Sequence, residues 1–355
     1  MTKTTNFFVG ANSGEGFRNL FPEMVDLEDT YDFLVLKGGP GVGKNTFMRL
    51  IGKTFEEAGV EVEYLWCSGD PDSLDGVIIP AIRSAVVDGT APHVLEPEYP
   101  AAVDRYVNLG QFYDIAAAKA GAEEVKARTH AYKAAYVRAY HSLKAARQVE
   151  LDAANAALAG FDREKARRRV EGIIQRELRV KGEEAGKTRR RFLGSITHKG
   201  YLWRYDSVDA LCPRVYEIQD SFELAGPLFA RLHQAAAEKG WDTIVCLSPE
   251  DMGRIEHLLI PGLGLAFVTS RPGMEYPGKP CRRIRLDALT ENAGKARIHF
   301  QTRMAALLRE EAVDALKEAK ANHDGLEAVY NPYVDFEGFR TLAALESGRL
   351  LSYLK

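Results

Sequence analysis

The sequence predicts an α/β protein in which parallel sheets flanked by helices occur twice, each copy followed by a helical tail or hairpin. Three observations carry that reading. Short apolar runs alternate with amphipathic stretches, the signature of strands joined by helices. Segments of the first half recur in order about 180 residues later (FFVGANSGEGF from Phe7 against RFLGSITHKGY from Arg191, and 62–93 against 243–273). A long Ala-, Lys-, Arg- and Glu-rich stretch without Pro, 111–190, reads as long helices, arranged as a hairpin. Two copies follow: 1–190, with a core over 1–110 and a helical arm over 111–190, and 191–355 with its own helical tail from about 287.

Within the first copy, YDFLVLK (31–37) is an apolar strand. The pattern over 44–58 is helical, and Gly59 ends it. Strands follow over 61–67 and 83–88, and their alternation with helices predicts a parallel sheet.

Between the first strand and the helix lies GGPGVGK (38–44), which fits G-x-x-x-x-G-K and sits where that motif has a mechanism. Gly38, Gly39, Pro40, Gly41, Val42 and Gly43 let backbone N–H groups wrap phosphate oxygens, and the helix N-terminus adds its dipole. Lys44 supplies a cation for the β- and γ-phosphates. The fold expectation is thereby narrowed to P-loop NTPase-like, with ATP and Mg²⁺ as the expected ligands. Asn45 stands where a hydroxyl usually coordinates Mg²⁺; its carbonyl is a weaker hard-cation ligand, and Thr46 follows it. GGPGVGKNT is also similar to the loops of nucleoside monophosphate kinases, which carry no hydroxyl directly after the lysine.

SAVVDGTAPH (84–93) places Asp88 at the end of an apolar strand, the position of a carboxylate that holds the Mg²⁺ shell; a turn-forming Asp-Gly is the plainer alternative. SGDPDSLD (68–75) puts Asp70 and Asp72 at the same sheet edge. Asp70 is the candidate for a second metal ligand or for orienting a nucleophile, against ordinary turn chemistry. His93 is a candidate γ-phosphate sensor or a surface histidine. In the second copy, YEIQDSFELAGPLFARL (216–232) keeps the helix pattern but puts Gly226 for Lys44, Pro227 for Asn45 and Thr269 for Asp88. An acidic, bulky loop cannot cradle a polyphosphate, so the second copy reads as a pseudo-domain, with Arg271 at its corresponding edge.

FVGAN (8–12), GGPGVGK, DPDSLDGVIIP (70–80) and TAPHVLEP (90–97) together resemble bacterial tandem P-loop proteins identified as predicted ATPases. The resemblance runs through most of the chain and implies the fold and nucleotide binding, without a substrate. It implies an ATPase whose cycle moves helical arms or a domain interface. A small-molecule or nucleotide kinase and a non-hydrolysing, nucleotide-gated binding protein are the alternatives. The chain departs from the family at Asn45 and in its eroded second loop.

Net charge is −3, but residues 111–191 carry 19 Lys/Arg against 11 Asp/Glu, a balance of +8 that leaves −11 elsewhere. REKARRR (163–169) and KTRRR (187–191) therefore pose a choice among a solvated helical face or intramolecular pairing with the acidic core, an acidic partner, protein or nucleic acid, bound through 163–191, and a phosphate-clamping lid. Self-association is a further expectation that no motif specifies. No apolar run is long enough to span a bilayer, the N-terminus lacks a signal-peptide core, and Cys67, Cys212, Cys246 and Cys281 have no metal-type spacing. A cytoplasmic protein with reduced thiols is expected.

Overall fold

The computed structural model describes residues 3–290 and 295–354. Two six-stranded sheets organise them. The first draws on β1 (Thr4–Phe7), β4 (Asp32–Lys37), β5 (Val62–Trp66), β6 (Leu74–Ile79), β7 (Ser84–Asp88) and β8 (Asp104–Asn108), in the order β1-β5-β6-β7-β4-β8. The hairpin β2 (Gly10–Ser13) and β3 (Gly16–Asn19) precedes it, and α1 (Lys44–Glu57) crosses from β4 to β5. Helices α2 (Ile115–Ala118), α3 (Ala122–Ala159) and α4 (Arg163–Glu177) lead into the second half. There β9 (Thr188–Arg191), hairpin β10 (Gly194–Thr197) and β11 (Gly200–Trp203), α5 (Tyr205–Leu211), β12 (Arg214–Gln219), α6 (Gly226–Glu238), β13 (Thr243–Ser248), β14 (Asp251–Ile260), β15 (Leu265–Ser270) and β16 (Arg282–Arg285) follow. Helices α7 (Lys295–Tyr330) and α8 (Phe336–Leu351) close the chain.

The second sheet has the order β9-β13-β14-β15-β12-β16, which is the first sheet's order strand for strand. Register agrees as well: Leu36 pairs with Asp88 on β4–β7, and Ile218 with Thr269 on β12–β15. The expected all-parallel sheet is corrected, because both sheets are mixed. β6 runs antiparallel to β5 and β7, and β14 antiparallel to β13 and β15. The β4–α1–β5 connection crosses over between parallel strands, whereas the short links on either side of β6 give hairpin-type pairing. All six residues of β6 are buried, Asp75 among them.

The long helices also depart from expectation. α3 does not fold back on α4 as a hairpin. It runs antiparallel along α7, with Arg138 paired to Glu318, Asp152 hydrogen-bonded by Arg297 and Gln301, and Gly121 against Val329. At 1.5 Å per residue α3 is about 57 Å long, enough to pass from one half to the other. The tails are thereby exchanged. α4 packs Ala166, Val170 and Ile173 against Phe229 and Leu232 of α6, while Phe339 of α8 joins the core beneath α1 with Phe47, Ile51 and Phe55. Asp162 and Asp335 cap the N-termini of α4 and α8, each accepting backbone N–H bonds. These caps make Phe161 the counterpart of Val334, and both form isolated bridges, to Thr290 and Tyr113.

The basic run 187–191 is consumed inside the molecule. It forms β9 and its approach, where Lys187 binds Asp29 (2.8 Å), Arg190 binds Glu23 (2.8 Å), and the buried Arg191 and its neighbour Arg189 bind Glu63 (2.6 and 3.1 Å). Burial alone would raise the Glu63 carboxyl, but the two guanidiniums outweigh it and hold it below its ordinary range. Among the described residues no helix is long and apolar enough to cross a membrane.

Candidate functional site

The turn 38–43 joins β4 to α1 at the carboxyl edge of the first sheet. Gly41 and Gly43 take φ of 77° and 97°, a region an L side chain adopts only with strain. Lys44, the first residue of α1, folds back over the loop and donates to the carbonyls of Gly38 (2.8 Å) and Gly39 (3.1 Å). Its ammonium stands 3.7 Å from Asp88 Oδ2. Asp88 Oδ1 is fixed by Thr90, whose N–H and hydroxyl donate at 2.9 and 2.6 Å. β4 and β7 are adjacent and parallel, so the loop and the strand-end aspartate emerge side by side.

Asp75 on β6 joins this pair, and the sequence reading did not single it out. Its carboxylate lies 3.7 Å from His93 Nε2, and its Oδ2 is buried without a hydrogen-bond partner. Burial pushes the Asp75 carboxyl up to about 6; His93 and Lys44 pull it down and Asp88 pushes it further up. His93 is itself buried and stacks on Phe21 at 4.1 Å, so it is no surface residue. Its Nδ1 is likewise unpartnered. The signal for Asp75 was present in S-L-D-G-V-I-I, a run apolar enough for a buried strand apart from one carboxylate.

The other candidates fall differently. Asn45 Oδ1 accepts from Leu74 N (3.0 Å) and Arg49 Nε (3.1 Å), which engages both lone-pair directions of the oxygen proposed as a metal ligand. Asn45 ties α1 to β6. Asp70 accepts from Ser73 Oγ (2.7 Å) and Asp72 N (3.3 Å) and stands 3.6 Å from Lys320 of α7. Those are turn and tail contacts, and none runs to Lys44 or Asp88. Thr46 is exposed on the first turn of α1.

The second half's tail, together with Tyr113 of the first half, roofs the loop. Tyr113 donates to the Pro40 carbonyl (2.6 Å), the Asn331 side chain abuts Gly41, and the Phe339 ring lies against Gly43. A Cβ on Gly41 would stand 2.6 Å from Asn331 Oδ1, and one on Gly43 2.9 Å from the Phe339 ring. No local signal in the sequence announces the Asn331 and Phe339 contacts, because partners some 290 residues apart meet only through the α3–α7 crossing.

The corresponding loop of the second half is filled by its own side chains. Asp220 accepts from the backbone N–H groups of Leu224 (2.8 Å) and Ala225 (2.7 Å), so a carboxylate occupies the amide cradle. Burial raises this carboxyl to about 6 despite those two bonds. Glu223, at the position of Gly41 and also with positive φ (60°), pairs with Arg147 (2.7 Å), Arg254 (3.1 Å) and Arg271 (3.5 Å). Arg271 therefore points into its own half, toward Glu223 and Glu256.

Compared with known proteins, the chain matches no family model, no curated protein and no solved structure.

Proposed function

We propose that the chain binds a nucleoside triphosphate, ATP, at residues 38–46 and hydrolyses it. One observation carries this reading: a glycine turn opens a helix at a sheet edge, with Lys44 poised 3.7 Å from a carboxylate on the neighbouring parallel strand. Lys44 holds the loop carbonyls, and a polyphosphate offers it better acceptors. The loop amides and helix dipole then take the phosphate charge.

The acidic pair Asp88 and Asp75 suits Mg²⁺, because a buried, unpartnered carboxylate oxygen beside a second carboxylate is a hard-cation donor set. Mg²⁺, when bound, would neutralise charge on the phosphates. Asn45 contributes instead by fixing β6, and with it Asp75, against α1. The roof of Tyr113, Asn331 and Phe339 links loop occupancy to α7 and α8, and so to the helix pair that joins the halves. The matching strand orders support descent of both halves from one repeated module, the second having replaced phosphate by Asp220 and Glu223.

The test follows γ-labelled ATP with Mg²⁺ on the intact chain and on Lys44→Ala and Asp88→Asn. Free labelled phosphate that disappears in both variants is expected. Label transferred to an added acceptor would replace hydrolysis by kinase activity. Tight binding without turnover would leave a nucleotide-gated binding protein.

A further inference from the structure

The exposed arginines of α4 and β16 form one surface although 115 residues separate them in sequence. Arg169 Nη1 donates to the Arg285 carbonyl (3.3 Å), and Ala166, Arg169, Val170 and Ile173 line a small cavity together with Ile284 and Leu286. Two cations of this surface are neutralised: Arg167 by Glu164 (2.7 Å) and Arg283 by Glu217 (2.5 Å). Arg163, Lys165, Arg168, Arg169, Arg282 and Arg285 have no ion pair among the described residues, and all but Arg169 are exposed.

The first half provides an internal comparison. Its equivalent edge strand, β8, carries Arg105 at the position of Arg282, and Arg105 is neutralised by Glu346 (2.7 Å) and Asp32 (3.8 Å). Aligned by strand register, Asp32 corresponds to Arg214; aligned from the N-cap aspartates, Glu346 corresponds to Ile173. The two acids that silence the first edge are thus absent from the second, in a chain whose net charge is −3.

We infer that the α4–β16 edge binds the phosphodiester backbone of a nucleic-acid duplex without reading its sequence. Five of the six free cations are arginines, whose planar fork matches phosphate oxygens, and they stand on a helix and a strand rather than on loops. Among the described residues no large exposed aromatic lies on this surface to stack unpaired bases, which disfavours single strands. The apolar residues Ala166, Val170, Ile173 and Ile174 are all buried, which leaves no anchor for insertion into a lipid surface. This inference is independent of the nucleotide site.

The experiment is fluorescence anisotropy of the full chain with labelled duplexes of unrelated sequence, matching single strands, and vesicles of mixed zwitterionic and anionic lipid. Duplex binding should be indifferent to sequence, with a log–log salt slope of about −3. Arg168→Glu with Arg282→Glu should weaken it at least about tenfold and flatten the slope by about two units. Lys53→Glu and Lys317→Glu, remote reversals of exposed cations, should leave it near wild type. Circular dichroism confirms that each variant is folded. Binding unmoved by the Arg168/Arg282 pair, or confined to single strands or to anionic vesicles, overturns the inference.

Discussion

Phe8 and Phe192 exchange two backbone hydrogen bonds, each 2.9 Å long, where the two halves meet. The pair is reciprocal, N–H to carbonyl in both directions, as at a two-fold axis. Neighbouring positions then diverge. Phe7 is an apolar core residue, whereas its counterpart Arg191 is a buried cation held by Glu63. Geometry is shared between the halves, and chemistry is divided between them.

Loss of the loop lysine should be visible in binding before it is visible in stability. Lys44→Ala removes a donor to two carbonyls at a partly exposed site, so folding should change by about 1 kcal/mol or less. The ATP-induced rise in Tm should vanish in the same variant. A Tm rise that persists would place nucleotide elsewhere.

Asn45→Ala should act on the fold. Leu74 N and Arg49 both lose their acceptor, at a cost of about 1–2 kcal/mol in chemical denaturation. Asn45→Asp keeps the acceptor oxygen and should cost less. Equal stability of Asn45→Ala and the native chain would return Asn45 to the role of metal ligand.

Asp75 makes stability depend on pH. Its folded carboxyl titrates near 6, above its ordinary 3.8, so the folded state favours the protonated form. Stability due to this group is complete below about pH 4, falls as pH rises through 6, and is level beyond. Asp75→Asn abolishes that dependence and should be more stable than the native chain at pH 8, by about 2–3 kcal/mol. Urea midpoints at pH 4 and pH 8 test this, and Mg²⁺-dependent turnover should be lost in the same variant.

Glu223 predicts the opposite sign. Burial opposes its ionisation, but Arg254, Arg147 and Arg271 outweigh burial and hold the carboxyl below 4.5. Its contribution is present above pH 4.5 and is lost as pH falls through the lowered value. Glu223→Ala leaves three guanidiniums crowded without their carboxylate and should cost about 3 kcal/mol or more at pH 7. Denaturation at pH 7 and pH 3 should show the gap to the native chain closing with acid.

Gly43→Ala tests the roof. The new Cβ meets both a left-handed φ and the Phe339 ring, so a loss of about 2 kcal/mol or more is expected. Adding Phe339→Ala should relieve the steric share alone, giving a non-additive double-mutant cycle.

Much was legible in the chain itself. The glycine turn, Lys44, the strand ending in Asp88 and the helix that Gly59 closes with φ of 76° are local features, fixed by backbone conformation and apolar periodicity over a few residues. The likeness of the two halves was legible because both keep the same apolar spacing, and their strand orders match. Tertiary structure decided the rest. The antiparallel insertion of β6 brings Asp75 beside Asp88, because strand direction depends on which edges are free, and composition does not record that. The α3–α7 crossing sends each tail to the opposite half, since helices of this length bury their apolar stripes best against each other. The arginines at 187–191 became internal partners while those at 163–169 stayed free, because a charge finds its counter-ion through space and not along the sequence.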